Sequence, residues 1–142
     1  MAYTHRLSQD DLTDLRGVGV TAHLLQWWIE KSHEARVVVV GRRVFAIAIY
    51  ANSATGRVDW RADFPALSYE IIDPPPAVQT GVTTYLKLLG LAFAAFDFAI
   101  DQSGTWWFLE SNSSGQYGWL EDATGAPISQ AIADLLTEGQ CV

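Results

Sequence analysis

Basic residues nearly vanish from the second part of this chain. Residues 62–142 hold only Lys87 against ten acidic residues, a balance of −9, whereas residues 1–61 carry eight Lys or Arg against six Asp or Glu; the net charge is −7. A nucleic-acid binder needs a basic face. Only the band of Lys31, Arg36, Arg42, Arg43, Arg57 and Arg61 offers one, so no nucleic-acid partner is expected. Cysteine is also scarce: Cys141 stands alone, which excludes a disulfide framework and a cysteine metal centre. No apolar run nears the ~20 residues of a membrane span, because LLGLAFAAF stops at Asp97. The N-terminal MAYTHRLSQDD lacks the basic-then-apolar order of a signal peptide. A cytoplasmic protein with no membrane partner is the expectation. His5, His23 and His33 have no metal-ligand spacing, and no serine-elbow motif occurs.

What is present suits one globular domain over residues 1–142, with 49% hydrophobic and 18% charged residues. Ser8 before Asp10 and Asp11 predicts a short capped helix. GVGVTA, residues 17–22, fits the dinucleotide fingerprint G-x-G-x-x-A, but no buried strand precedes it and no strand-ending acid follows at the required distance, so that reading is rejected. HLLQWWIEKSHEA is compatible with a helix or with a strand running into a loop. RVVVVGRRVFAIAIY, residues 36–50, predicts an antiparallel hairpin turning at Gly41, followed by a polar loop over residues 52–56. DWRADFPALSYEII predicts two short extended pieces ending at Pro74. Val78, Val82, Tyr85, Leu86 and Leu89 mark one helix face from Pro76, stopped at Gly90. Ile128, Ile132, Leu135 and Leu136 mark a second, stopped at Gly139. The pattern predicts an α+β layer fold, an antiparallel sheet of hairpins with packed helices.

Residues 91–100 and 105–112 predict a second hairpin, and it carries the chemistry. A loop of residues 101–104 would pair Ile100 with Thr105, Asp97 with Phe108 and Ala95 with Glu110. Asp97, Glu110 and Asn112 would then share one face, with the two carboxylates diagonal at roughly 7 Å. Phe96, Phe98, Ile100, Trp107 and Leu109 would form the apolar face. Two carboxylates and an amide oxygen repel one another unless a cation lies between them, and hard oxygen donors favour Mg²⁺ over Zn²⁺. Spacing alone leaves open a solvent-facing strand with incidental polar residues.

Asp97, then Glu110-x-Asn112 and a nearby Gly, resembles the metal-binding end of ATP-grasp ligases. AFDFAIDQSGTWWFLESNSSGQYGWLE, with RVVVVGRRVFAIAI and VDWR upstream, is similar to the C-terminal half of the ATP-grasp peptide maturases that make microviridins and related graspetides. The resemblance implies a Mg²⁺ site at Asp97, Glu110 and Asn112, holding ATP phosphates while an acyl phosphate forms. It implies a hinge strand at Gln26, Trp27, Trp28 and Ile29 reading adenine, Glu34 as a ribose partner, Lys31 as a family lysine, and Arg61 in VDWR as the catalytic arginine. Arg61 could equally pair with Asp59 or Asp63, Glu34 could equally cap the following strand, and Arg36 be structural only. The family's Asn-Pro-Asn-Gly run reads Asn112, Ser113, Ser114, Gly115 here. The resemblance further implies a precursor peptide as substrate and a missing N-terminal lobe as partner. An isolated half would be inactive and would present apolar surface to that lobe or to a second copy of the chain. A non-catalytic or split-enzyme module that binds a leader peptide is the alternative.

Overall fold

The computed structural model describes residues 3–138. Among the described residues, five strands form one antiparallel sheet: β1 (Lys31–Val40), β2 (Arg43–Ala51), β3 (Leu67–Ile72), β4 (Phe93–Asp101) and β5 (Trp106–Asn112), in the order β3-β2-β1-β4-β5. Four α-helices accompany them: α1 (Ala54–Val58), α2 (Pro76–Leu89), α3 (Gly118–Thr124) and α4 (Ile128–Glu138). The α+β architecture is the one the sequence predicts. The first hairpin turns at Gly41, whose φ of 57° is a left-handed conformation that costs glycine little.

The β-branched run Val37–Val40 lies in the middle of the sheet and feeds both faces. Val37 and Val39 join Ala46, Phe96, Phe98 and Ile100 beneath α2, which contributes Val82 and Leu86. Val38 and Val40 join Ile47, Ala95, Leu120, Ile128 and Ala131 beneath α3 and α4. Proline opens α2, and Gly90 in the left-handed conformation closes it, with the amides of Gly90 and Leu91 both donating to the Leu86 carbonyl. Leu89 and Leu136, placed on core-facing stripes by periodicity, are exposed at 57% and 77%, because each lies in the last turn of its helix, beyond the sheet's cover. Gly139 lies outside the described residues.

Several local expectations are corrected. The expected polar loop at 52–56 gives way at Ala54 to α1, capped by the Ser53 hydroxyl, which accepts from the Gly56 amide. DWRADFPALSYEII supplies one strand, β3; its first part winds into two 3₁₀ turns, Trp60–Ala62 and Phe64–Ala66, the first capped by Asp59. The Ser8 region is a single 3₁₀ turn, Asp11–Thr13, with reciprocal Ser8 and Asp11 hydrogen bonds. Residues 22–30 are irregular, and residues 17–22 follow no strand.

The register of the second hairpin also differs. Ile100 faces Trp106, Phe98 faces Phe108, and a bulge at Leu109 sets Asp97 directly opposite Glu110 and Ala95 opposite Asn112. The turn runs one residue longer than predicted: the Asp101 carboxylate accepts from the Ser103 hydroxyl, the Trp107 indole and the Thr105 and Ser103 amides, and these bonds, the hydroxyl's foremost, hold its pKa down at about 2. Trp106 and Phe108, rather than Trp107 and Leu109, therefore pack on the apolar side against Phe98.

Candidate functional site

One row of neighbours crosses three strands on the α3/α4 side of the sheet: Arg36 on β1 pairs with Asp97 on β4, and Asp97 with Glu110 on β5. Side chains directly opposite in antiparallel strands stand about 5 Å apart at Cβ. The bulge therefore brings the two carboxylates closer than the diagonal arrangement expected. Asn112, two residues past Glu110, shares their face.

Asp97 is held tightly. Arg36 donates from Nε and Nη2 to its two carboxylate oxygens at 2.7 Å each, and from Nη1 to the Gln116 carbonyl at 3.0 Å. Both residues are 9% exposed. The guanidinium lies 5.4 Å from the Trp60 ring and 5.9 Å from the Trp119 ring, and these two indoles stack at 4.9 Å. Glu110 differs in every respect: it is exposed and forms no salt bridge among the described residues. The Asn112 side-chain oxygen accepts from the Ser114 amide at 2.8 Å, and its carbonyl accepts from Gly115. A tight turn thus forms without the family's proline. Gly115 is buried there, and a Cβ on it would stand 2.4 Å from the Ala95 Cβ, so only glycine fits.

Further along β1, Lys31 forms a salt bridge with Glu34 and donates to the Val58 carbonyl at 3.3 Å. Glu34 is 8% exposed, and burial pushes its carboxyl pKa up against the opposing pull of the Lys31 ammonium. Arg61 donates from Nε and Nη2 to the two oxygens of Asp59, each at 2.9 Å. Burial of Asp59 works to raise its pKa, but the Arg61 bonds and the Thr4 amide outweigh it and leave the carboxyl below its ordinary value. The Asp59 hydrogen bonds raise the Arg61 pKa, with smaller contributions from the Glu110 and Asp97 charges.

Of the residues singled out by sequence, Asp97, Glu110 and Asn112 share one face of the sheet; Glu34, two residues before Arg36 on β1, pairs with Lys31, and Arg61 follows Trp60, whose ring lies against Arg36. The hinge residues do not assemble as predicted. Gln26, Trp27, Trp28 and Ile29 form no strand; Gln26 is exposed and Trp27 is 93% exposed. The segment has no neighbouring strand among the described residues, and β1 begins only at Lys31. Trp28 and Ile29 are half-buried, and the Trp28 ring lies 5.5 Å from the Lys31 ammonium. Sequence reasoning missed the Arg36 grip on Asp97 and the Trp60–Trp119 stack. An arginine within an aliphatic strand, as in EARVVVV, was the available signal for the first.

The donor set suits a hard divalent cation: oxygen only, two facing carboxylates and an amide, with no sulfur or imidazole. No group of three or more His, Cys, Asp or Glu suited to a metal occurs among the described residues, so such an ion would need Asn112 and external oxygens. A cleft of about 610 Å³ lies elsewhere, at the Gly41 turn, lined by residues of α2 and α4. No helix among the described residues is long and apolar enough to cross a membrane.

No protein-family model matches the chain, and no curated protein resembles it at a significant level. Solved structures do. The Chryseobacterium gregarium RiPP-associated ATP-grasp ligase, solved with ADP and a leader and core peptide, superposes with a TM-score of 0.90 at 27% identity, covering 98% of this chain and 43% of its own. The macrocyclase MdnC from Microcystis aeruginosa MRC, bound with precursor peptide MdnA, gives 0.84 at 30% identity, covering 99% and 44%. MdnB from the same source gives 0.65 at 35% identity, covering 78% and 32%. The fold is that of the ATP-grasp ligases it matches. Within that class the chain resembles RiPP-associated ligases and macrocyclases, and it spans less than half the length of those it matches.

Proposed function

We propose that this chain is the metal- and phosphate-handling part of an ATP-grasp carboxylate ligase that crosslinks side chains of a ribosomal precursor peptide. The observation that carries this reading is the direct opposition of Asp97 and Glu110 across the β4–β5 bulge, with Asn112 on the same face. Mg²⁺ held by these three residues would neutralise charge on ATP phosphates when bound. Arg61 would steady the carboxylate being activated or the phosphate transferred to it. The reaction class is acyl phosphate formation followed by attack of a Ser or Thr hydroxyl or a Lys amine, giving an ester or an amide. This reading assigns the chain no covalent nucleophile; its contribution is positional and electrostatic. Lys31 and Glu34 would flank the nucleotide at the start of β1, with Trp28 beside them.

A second reading is a split-enzyme subunit or non-catalytic module that binds a companion lobe, a leader peptide or a second copy of the chain. Its support is the exposure of Val20 at 83%, Leu24 at 81%, Leu25 at 69% and Trp27 at 93% along one short segment. Calorimetric titration with ATP, with and without Mg²⁺, separates the two. The ligase reading expects Mg²⁺-dependent binding that Glu110→Gln abolishes while the circular dichroism spectrum is unchanged. Binding insensitive to Glu110→Gln overturns the metal assignment.

A further inference from the structure

The charges around the proposed metal site do not stand free. Lys31 pairs with Glu34, Arg36 with Asp97 and Arg61 with Asp59, and Glu110 alone has no salt-bridge partner among them. The Arg36–Asp97 pair is the most constrained of the three. Arg36 and Asp97 are cross-strand neighbours, the guanidinium is pinned by two 2.7 Å bonds to the carboxylate and one 3.0 Å bond to the Gln116 carbonyl, and two stacked indoles flank it. Paired charges at such a distance cancel strongly at low effective dielectric.

We infer that Arg36 stands in for the cation: its fork occupies the Asp97 carboxylate, so a bare divalent ion meets one free carboxylate, Glu110, and joins the site tightly only with a polyphosphate. The inference rests on the proposed metal site and deepens it. A bare ion would have to displace a bidentate guanidinium or accept the remaining Asp97 lone pairs beside a positive charge. It would find the Asn112 amide oxygen already accepting from Ser114. A polyphosphate changes both terms, because its oxygens ligate the metal and give Arg36 another anion to grip. Arg36 is thus a positioning residue that couples metal and anion binding, which is an equilibrium property with reciprocal consequences for both ligands.

The test measures protein-retained Mn²⁺ by equilibrium dialysis, alone and with ADP, so catalysis is not the readout. The full chain is expected to hold Mn²⁺ at least tenfold more tightly with ADP than without. Arg36→Met frees Asp97 and is expected to tighten binding of Mn²⁺ alone at least tenfold, a gain erased by Glu110→Gln in the same background. Should Arg36→Met fail to fold, Arg36→Lys keeps the charge and loses the fork, and a gain of about threefold is expected. Equal retention of Mn²⁺ by the unmodified chain with and without ADP overturns the coupling. So does a folded Arg36 variant that holds Mn²⁺ alone no better than the unmodified chain. If ADP binds to no form, the nucleotide reading fails, while the metal-alone comparison still decides whether Arg36 blocks Asp97.

Discussion

The two ends of β1 present the same face of the same strand and do opposite things with it. Val38 and Val40 disappear under Leu120, Ile128 and Ala131, while Glu34 and Arg36 carry charge into nearly the same degree of burial. Aliphatic burial is favourable at about 25 cal/mol per Å². A buried ion pair must first repay desolvation and often does no better than an apolar replacement. The arginine end is therefore retained at some expense to stability, and this is the pattern expected where a strand passes from scaffold to site. Its other face shows no such division: Ala35, Val37 and Val39 are all buried with α2.

The largest expected effects break this comparison from both ends. Leu120→Ala, at a fully buried position, should cost about 2–5 kcal/mol in denaturant unfolding. Arg36→Met alone should cost about 3–5 kcal/mol, because it strands a buried carboxylate. The double change Arg36→Met with Asp97→Leu should bring stability back to near or above that of the unmodified chain, whereas no second apolar change at the valine end would rescue Leu120→Ala. A double variant as unstable as the single one would mean that the arginine end is structural after all.

A mid-sized effect is expected where the site meets the scaffold. Gly115→Ala drives a Cβ to 2.4 Å from that of Ala95, which is itself buried at 2% exposure on β4. Neither atom can swing aside, so either the turn after Asn112 shifts or the strand does, at about 1–3 kcal/mol. If the turn yields first, metal-dependent nucleotide binding should weaken more than stability falls. Equal stability and unchanged binding would show that the turn has room the geometry does not reveal.

Much of this arrangement was legible in the sequence because hydrophobic period and turn residues dictate it. The Val37–Val40 run, the Gly41 turn, the α2 stripe with Gly90, and the shared face of Asp97, Glu110 and Asn112 all follow from local pattern. Register did not follow, since alternation fixes which face a side chain takes but not which residue stands opposite. The extra turn residue and the Leu109 bulge together moved Asp97 from Phe108 to Glu110. Helix α3 escaped notice because its seven residues are held by burial of Leu120, a tertiary effect with no periodic signature at that length. The Arg36–Asp97 grip spans 61 positions of sequence and depends on strand order, which no local pattern encodes.

The smallest effect expected separates two carboxylates within the site by the sign of their pH dependence. Burial raises the Glu34 pKa above its ordinary 4.5, so the folded state holds that proton more tightly than the unfolded state does. Its contribution to stability is present below about 4.5 and is lost as pH rises through the raised folded value. Asp59 runs the other way. Its pKa lies below 3.8 in the folded state, where the Arg61 and Thr4 bonds outweigh the larger single effect of burial, so its contribution is present above that value and lost as pH falls through the folded one. Stability curves measured against pH should therefore lose a falling component above pH 4.5 in Glu34→Gln and an acid-side loss below pH 3.8 in Asp59→Asn. Loss of the same component in both variants would mean that the two carboxylates titrate as one coupled group, and that the lysine end of β1 and the Arg61 turn form a single electrostatic unit.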